Sequence, residues 1–260
     1  MATSLDEWLA FAEDLADESR AMLGAAGAPV VEMKPDRSFV TDLDHGIEAR
    51  LRERIADCYP NHGIIGEEGS NDGAVQDLTW VLDPIDGTAA FIAGVPVYGS
   101  LIALLRDGVP IIGIIDQPTT AERWVGVTGR RTRHSAGPCA TRACRDLAGA
   151  ILSASNPDFF TDAERPALDV LRAATAWRIY GGACRAYGLL ASGRTDVAID
   201  TRLKLWDFAP FPPIIEGAGG VVTDWEGRPL GINSGPQILA AGDPARHHEA
   251  LALVRGALRA

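Results

Sequence analysis

The sequence predicts a layered sandwich of helices and sheets that mixes α+β and α/β organisation, and three features lead to this prediction. Two amphipathic helices come first, apolar strands then occupy residues 99–128, and strands alternate with helices from residue 150 onward. An antiparallel meander followed by strand–helix alternation is typical of two sheets with covering helices. We expect the two halves, residues 1–148 and 149–260, to form one integrated fold because no low-complexity linker separates them.

The first half is predicted to contain two helices followed by a sheet. Ser4 and Glu7 have capping-box spacing at the start of a helix that runs to about Leu23. Apolar residues four apart, from Leu43 to Ile55, predict a second helix. Strands are expected at residues 64–66, 80–82, 99–105, 109–116 and 122–128.

The second half is predicted to alternate strands with helices, which implies a parallel or mixed sheet. The strands are expected at residues 150–155, 177–180, 196–200, 220–223 and 237–241. The helices are expected at residues 163–174, 183–191 and 206–217, and after Asp243-Pro244. Because Pro210, Pro212 and Pro213 crowd the 206–217 segment, we expect that helix to be distorted or to start late.

Composition excludes several classes of protein. A chain of 260 residues with 47% hydrophobic content has enough apolar material for a large core. A net charge of −11 without a Lys/Arg-rich tract argues against a nucleic-acid partner, and no apolar run has bilayer length. The four cysteines lack C-x-x-C spacing, and no secretory signal is apparent, so we expect reduced thiols and a cytoplasmic location.

Two carboxylates meet at a strand end in T-W-V-L-D-P-I-D-G-T, residues 79–88. We expect Asp83-Pro84 to stop the strand and Asp86-Gly87-Thr88 to open a helix. Two acids held towards one point need a cation, and hard oxygen ligands suit Mg²⁺. The Thr88 hydroxyl lies at the helix start, where free N–H groups attract phosphate. The alternative is an Asp-Pro turn followed by an aspartate N-cap.

Other acids are expected to approach this corner. Glu67 and Glu68 end the preceding strand and are separated from the corner by one short connection, so one of them is within reach of the same cation. The alternative is a solvated acidic loop. Asp42 or Asp44 lies in the first turn of the second helix, where helix capping is the competing interpretation.

Three motifs taken together resemble the inositol monophosphatase family. They are G-E-E at residues 66–68, W-V-L-D-P-I-D-G-T at residues 80–88 and L-W-D at residues 205–207. The resemblance spans roughly Leu5 to the C-terminus. It implies a Mg²⁺-dependent phosphatase with the αβαβα layering that this family shares with fructose-1,6-bisphosphatase, and it suggests a homodimer.

The resemblance implies a set of metal ligands. Glu67, Asp83 and the Ile85 carbonyl would bind one Mg²⁺, and Asp83, Asp86 and Asp207 would bind a second. Glu67 would help to hold a weaker third ion through water. We therefore expect two or three Mg²⁺ ions in the active site.

The resemblance also implies the catalytic residues. Thr88, with Glu67 and Asp44, would position and deprotonate the attacking water. The backbone N–H groups of Gly87 and Thr88 would hold phosphate oxygens. Paired cations that clamp the attacking and departing oxygens are a recurrent solution for phosphoester hydrolysis.

Within the family the chain is most similar to histidinol-phosphate phosphatases, for example in S-L-I-A-L-L-R-D-G-V-P at residues 100–110. This similarity makes histidinol phosphate, and so a step of histidine biosynthesis, the expected substrate. The chain departs from that branch at Ala183, where an acid is usual, and at Arg185. The candidate substrate-binding residues are Gly87, Thr88, Gly182, Ala183, Arg185, Asp200 and Arg202.

Several alternatives stay open at this stage. Inositol 1-phosphate, another cyclitol phosphate, a sugar phosphate or a nucleotide monophosphate would also suit the reaction. A haloacid-dehalogenase phosphatase places its two aspartates two residues apart, whereas Asp83 and Asp86 are three apart. A metal-dependent protein that binds a phosphate ligand without turnover is the non-enzymatic alternative.

Overall fold

The computed structural model describes residues 4–25, 27, 29–35, 38–71 and 75–259. These residues form two sheets, a short hairpin and the helices around them. The α-helices are α1 (Leu5–Ala25), α2 (Asp42–Cys58), α3 (Thr88–Ala93), α4 (Arg165–Ala174), α5 (Ala183–Ala191), α6 (Leu205–Phe208), α7 (Phe211–Gly217) and α8 (Pro244–Arg259). The strands of the first half are β1 (Val31–Met33), β2 (Phe39–Thr41), β3 (Gly63–Gly66), β4 (Leu78–Asp86), β5 (Gly99–Arg106), β6 (Val109–Gln117), β7 (Glu122–Val127), β8 (Arg133–His134) and β9 (Gly137–Pro138). Those of the second half are β10 (Ile151–Ala154), β11 (Trp177–Tyr180), β12 (Val197–Asp200), β13 (Val221–Thr223) and β14 (Ile238–Ala241).

The large sheet has the order β3-β4-β5-β6-β7-β8-β9, and only its first pair, β3 with β4, is parallel. The small sheet has the order β11-β10-β12-β14-β13, with parallel pairing of β10 to β11 and β12 and antiparallel pairing beyond. Strands β1 and β2 form an antiparallel hairpin. The meander and the mixed second sheet expected from the sequence are therefore present.

Helices and sheets stack in five layers. Helices α1 and α2 pack against one face of the large sheet. Helices α5 and α7 are buried between the large and the small sheet, and α4 and α8 cover the outer face of the small sheet. This αβαβα order confirms the predicted fold class. The boundary near residue 148 stays a prediction, although one core cluster contains side chains from both halves.

Helix α1 begins with the predicted capping box. The Ser4 hydroxyl accepts a hydrogen bond from the Glu7 N–H at 3.2 Å, and the Glu7 carboxylate accepts one from the Ser4 N–H at 2.6 Å. One face buries apolar side chains such as Leu15 against the large sheet. The helix continues through Gly24 to Ala25, so its end lies slightly beyond the prediction.

Strand β4 does not stop at Asp83-Pro84, which corrects the prediction. It continues to Asp86 and pairs with β5 on both sides of a register shift between Asp83 and Asp86. Pro84 is tolerated because a bulge takes the missing N–H out of the hydrogen-bond ladder. Helix α3 then follows, with Gly87 rather than Asp86 as its N-cap.

The proline-rich segment after Asp207 forms two short helices instead of one. Helix α6 ends at Phe208, and α7 begins at Phe211 after Pro210. Pro212 and Pro213 lie in the first turn of α7, where a helix has no use for their missing N–H groups. Of the two expectations, a distorted helix or a late start, the structure shows the first, because the helix begins at Leu205 and breaks after Phe208. Helix α6 is thereby set apart as a separate turn that carries Asp207.

A row of small residues lets this segment approach the large sheet. Ala103, Gly113 and Gly126 are cross-strand neighbours on β5, β6 and β7. A Cβ atom at Gly113 would lie 2.2 Å from the Pro210 carbonyl oxygen, and one at Gly126 would lie 2.3 Å from the Pro213 carbonyl carbon. The backbone at the start of α7 therefore occupies the space that side chains would fill.

We expect the substitution Gly126→Ala to lower the free energy of unfolding by about 1–3 kcal/mol, because the added methyl group must push the backbone of α7 outward. Urea denaturation measures this change. Gly46→Ala is the matched control, since no atom lies within 4 Å of a Cβ placed there and alanine is the better residue inside helix α2. Equal stability of the two variants would contradict the proposed close approach.

Candidate active site

The parallel pair β3–β4 brings the first two acids together. Gly66 is the register partner of Leu82, so the residues that follow, Glu67 and Asp83, leave adjacent strands side by side. The Glu67 N–H extends the pairing by donating to the Leu82 carbonyl oxygen at 3.3 Å. Their carboxylates consequently reach the same end of the sheet.

The bulge in β4 turns two aspartates toward one cavity. Residues three apart on a regular strand point to opposite faces, yet Asp83 and Asp86 both line the same cavity. The Asp83 Oδ1 atom accepts a hydrogen bond from the Ile85 N–H at 3.1 Å. Behind the bulge, the Ser100 hydroxyl donates to the Pro84 carbonyl at 2.7 Å. The bulge is therefore fixed on both of its sides.

Gly87 and Thr88 form the corner between β4 and α3. Gly87 has a φ of 86°, a conformation that favours glycine, and an added Cβ would lie 3.2 Å from that of Ala183. The Thr88 hydroxyl donates to the Ile85 carbonyl at 3.1 Å, which leaves its oxygen lone pairs free to accept a hydrogen bond. Both residues line the cavity.

Asp207 comes from the second half of the chain and completes the cluster. The Lys204 N–H donates to its Oδ2 atom at 2.6 Å, which fixes the side chain in the first turn of α6. Ligand atoms of Glu67, Asp83 and Asp207 all lie within 4.8 Å of one another. Asp86 lies nearby in the cavity wall and accepts a hydrogen bond from the Cys184 N–H at 2.5 Å.

Burial and mutual repulsion make these acids hard to ionise together. Burial raises the pKa of Glu67 to about 7, with Lys34 opposing the shift. Burial, followed by the charges of Glu67 and Asp86, raises the pKa of Asp83 well above its ordinary value. Burial and the charge of Asp86 do the same to the pKa of Asp207. The site is thus arranged to be negative and lacks enough positive charge of its own.

The cluster fits a hard divalent cation. The Asp83 Oδ2 atom is buried and has no hydrogen-bond partner among the described residues, so it is available as a metal ligand. Carboxylate oxygens converging within a few ångströms match the ligand preference of Mg²⁺. The Ile85 carbonyl accepts from Thr88, and a carbonyl oxygen has a second lone pair for a cation.

Two residues that shape the site, Lys34 and Glu48, were not predicted. Lys34 donates to Glu67 at 2.9 Å and to Glu68 at 2.8 Å, and the bonds to these two glutamates help to raise the pKa of Lys34 to about 12. The buried Glu48 carboxylate accepts the N–H groups of Glu68 and Gly69, both at 2.8 Å, and so holds the loop after β3. A lone lysine in a loop and a helical glutamate are too common in sequences to attract attention.

Asp44 caps helix α2, the competing interpretation of the sequence. Its Oδ2 atom accepts from both the N–H and the hydroxyl of Thr41, and the residue is 1% exposed. Burial raises the pKa of Asp44. Asp44 is not among the residues that line the cavity, so its part in catalysis stays a prediction.

The cavity in front of the acids has a volume of about 800 Å³. Of the candidate substrate-binding residues, Gly87, Thr88, Ala183 and Arg202 line it. Gly182, Arg185 and Asp200 are not among its lining residues.

Arg185 and Asp200 instead have partners within the protein. Arg185 forms an ion pair with Glu122 at 2.7 Å. Asp200 is buried and accepts from the Tyr187 hydroxyl at 2.8 Å and from the Ser155 N–H at 2.6 Å, and burial raises its pKa to about 7. Substrate contact by Arg185 or Asp200 would require these side chains to exchange partners, and it stays a prediction.

The five-layer fold and the acid cluster beside a glycine–threonine corner define a metal-dependent phosphatase. Residues 4–258 match the model of the inositol monophosphatase family, and the chain belongs to this family. Members of the family generally depend on Mg²⁺. This membership makes the protein a phosphatase and argues against the haloacid-dehalogenase and non-enzymatic alternatives.

The relatives carry different substrate names. The chain is 40% identical to the bifunctional phosphatase IMPL2 of Arabidopsis thaliana, over 96% of this chain and 75% of the relative. It is 34% identical to a histidinol-phosphatase of Mycobacterium tuberculosis, over 82% of this chain and 85% of the relative. A solved inositol monophosphatase from Zymomonas mobilis superposes with a TM-score of 0.87 at 38% identity, covering 97% of this chain and 99% of that one.

In the part of the chain that the structure describes, none of the helices combines the length and the apolar character that crossing a bilayer requires.

We expect Mg²⁺ binding to release protons and to tighten as pH rises from 6 to 8. Because the pKa of Glu67 is raised to about 7, this carboxyl holds a proton part of the time near pH 7, and a bound cation must displace it. The raised pKa values of Asp83 and Asp207 act in the same direction. Isothermal titration calorimetry in two buffers of different ionisation enthalpy counts these protons.

The same raised pKa values determine how the stability of the metal-free protein changes with pH. A carboxyl whose pKa is raised by folding stabilises the protein below its unfolded pKa, and this contribution is lost as pH rises through the folded value, about 7 for Glu67. The chelator-treated protein should therefore melt at a lower temperature at pH 8 than at pH 6. A Mg²⁺ affinity that is constant over this range would contradict the linkage.

Proposed function

We propose that the protein hydrolyses a small polar phosphate monoester with Mg²⁺, and that histidinol phosphate is its substrate. The observation that carries the proposal is the convergence of Glu67, Asp83 and Asp207 within 4.8 Å at a cavity that Thr88 also lines. Relatives named histidinol-phosphatase at 33–34% identity support the substrate. Inositol 1-phosphate, or another cyclitol, sugar or nucleotide monophosphate, is the alternative.

Positioning and charge neutralisation are the main tasks in phosphoryl transfer. When bound, the divalent cations neutralise phosphate charge and lower the pKa of the attacking water. We assign Glu67, Asp83, Asp86, Asp207 and the Ile85 carbonyl to holding two ions, with a third, weaker ion near Glu67.

Thr88 is placed to orient the attacking water. Its hydroxyl donates to the Ile85 carbonyl at 3.1 Å, so the threonine oxygen is free to accept a hydrogen bond from the water on its other side. Glu67 is assigned to take up the proton that this water gives up, with Asp44 assisting from beside the cluster. As water attacks phosphorus, the ester P–O bond breaks and the alcohol oxygen leaves to be protonated by solvent.

The N–H groups of Gly87 and Thr88 are assigned to the phosphate. The first N–H groups of a helix have no partner within the helix, and Gly87 lets the backbone approach a ligand closely because it lacks a side chain. We further propose that the protein works in the cytoplasm as a homodimer, as its family resemblance suggests. Analytical ultracentrifugation measures that state directly.

The substrate proposal is tested by ranking phosphate esters by kcat/KM at saturating Mg²⁺. The panel contains histidinol phosphate, inositol 1-phosphate, a sugar phosphate and a nucleoside monophosphate, and release of inorganic phosphate is measured. We expect histidinol phosphate to rank first. A kcat/KM for another ester at least tenfold higher would assign the enzyme to that ester.

We expect Asp83→Asn to lower kcat by at least about a hundredfold while the fold stays intact, because charge stabilisation of the transition state is lost. The melting temperature without metal should stay equal or rise, since asparagine replaces a carboxyl whose ionisation is disfavoured by burial and by Glu67 and Asp86. The rise in melting temperature on adding Mg²⁺ should shrink. The control is Asp57→Asn at an exposed position of α2, and near-normal Mg²⁺-dependent turnover by Asp83→Asn would refute the assignment.

A further inference from the structure

Arg202 has a backbone conformation that arginine rarely adopts. Its φ is 63°, in the left-handed region, and it lies in the loop after β12. Both neighbours are tied down, because the Thr201 hydroxyl donates to Glu164 at 2.6 Å and the Leu203 N–H donates to the Pro236 carbonyl at 3.2 Å. Strain that the surroundings impose is found preferentially at functional sites. Here it accompanies an arginine in the cavity wall.

The Arg202 guanidinium has no carboxylate partner among the described residues, unlike Arg185, which pairs with Glu122. It lies instead over the ring of Phe159, 5.9 Å from the ring centroid. Phe159 is 38% exposed and also lines the cavity. The planar cation of Arg202 and the ring of Phe159 therefore lie together at the cavity wall. The other charged residues of this wall are four acids.

These features favour one kind of ligand group. A second anion on the substrate would add to the negative charge of the four acids and the phosphate, which two divalent cations only partly balance, whereas an ammonium group would be repelled by the guanidinium. An uncharged heteroaromatic ring avoids both penalties, since it stacks on planar groups and its unprotonated nitrogen accepts an N–H from arginine.

We propose that Arg202 and Phe159 form the subsite that recognises the planar ring of the substrate alcohol, which is the imidazole of histidinol phosphate. The inference rests on the proposed function, which supplies the ring. Arg202 and Phe159 determine specificity and have no part in bond breaking.

The test compares histidinol phosphate with O-phosphoethanolamine, which keeps the phosphate ester and the ammonium group but lacks the ring. In Arg202→Lys the charge remains and the planar fork is lost. We expect KM for histidinol phosphate to rise about tenfold, as loss of one planar contact predicts, with kcat unchanged. KM for O-phosphoethanolamine should stay the same. Phe159→Leu should give the same pattern.

Arg172→Lys is the matched control. Arg172 also lies over an aromatic ring, 5.5 Å from the centroid of Tyr180, but it is not among the residues that line the cavity. This variant should leave KM for both esters unchanged. An equal rise in KM for both esters in Arg202→Lys, or no rise for either, overturns the subsite.

Failure of the proposed function is recognised separately. If the wild-type protein favours another ester, histidinol and ethanolamine are compared as inhibitors of the hydrolysis of that ester. Histidinol should then inhibit the wild-type protein more strongly than ethanolamine, and Arg202→Lys should remove the difference. Equal inhibition by both amino alcohols in the wild-type protein overturns the ring subsite.

Discussion

Repulsion between one buried and two half-buried carboxylates is the constraint on which the rest of the structure depends. Glu67, Asp83 and Asp207 come from β3, β4 and α6, and the fold holds their oxygens closer together than they would stay in water. Lys34 relieves only part of the charge, since it contacts Glu67 and Glu68 from one side. Holding these acids together lowers the stability of the cation-free protein and makes the site attract positive charge. A preorganised electrostatic site works in this way. A divalent cation is complementary to this cluster of acids, and a bound cation would in turn attract the phosphate of a substrate.

The packing of α7 against the large sheet positions Asp207, which lies on α6, close to the other two acids. The prolines after α6 restart the chain as α7, and the row formed by Ala103, Gly113 and Gly126 lets that helix lie against the large sheet. The Thr132 hydroxyl fastens the same helix by donating to the Ile214 carbonyl at 2.6 Å. Small residues on the strands and prolines in the helix are therefore two parts of one packing arrangement. This accounts for prolines that look unfavourable when the helix is considered alone.

The layer order and most strands could be predicted from the sequence because apolar periodicity and turn residues are local signals. The metal ligands could be proposed because D-P-I-D-G-T, G-E-E and L-W-D are dense and ordered along the chain. What could not be predicted depends on contacts between distant residues. The continuation of β4 through Pro84 requires β5 as a partner, and the pairing of Lys34 with Glu67 requires a loop and a sheet end to meet. The partners of Asp200 and Arg185 likewise come from elements that sequence reasoning cannot place in space.

The separation of the acids along the chain has a consequence of its own. Residues 67 and 207 belong to opposite halves, so an ion bound to both ties together points more than a hundred residues apart. These ligands converge only in the folded chain, so the binding free energy of such an ion adds directly to the stability of the folded state. All four cysteines are free thiols. A bound divalent cation would therefore link the two halves of the folded chain without a disulfide bond.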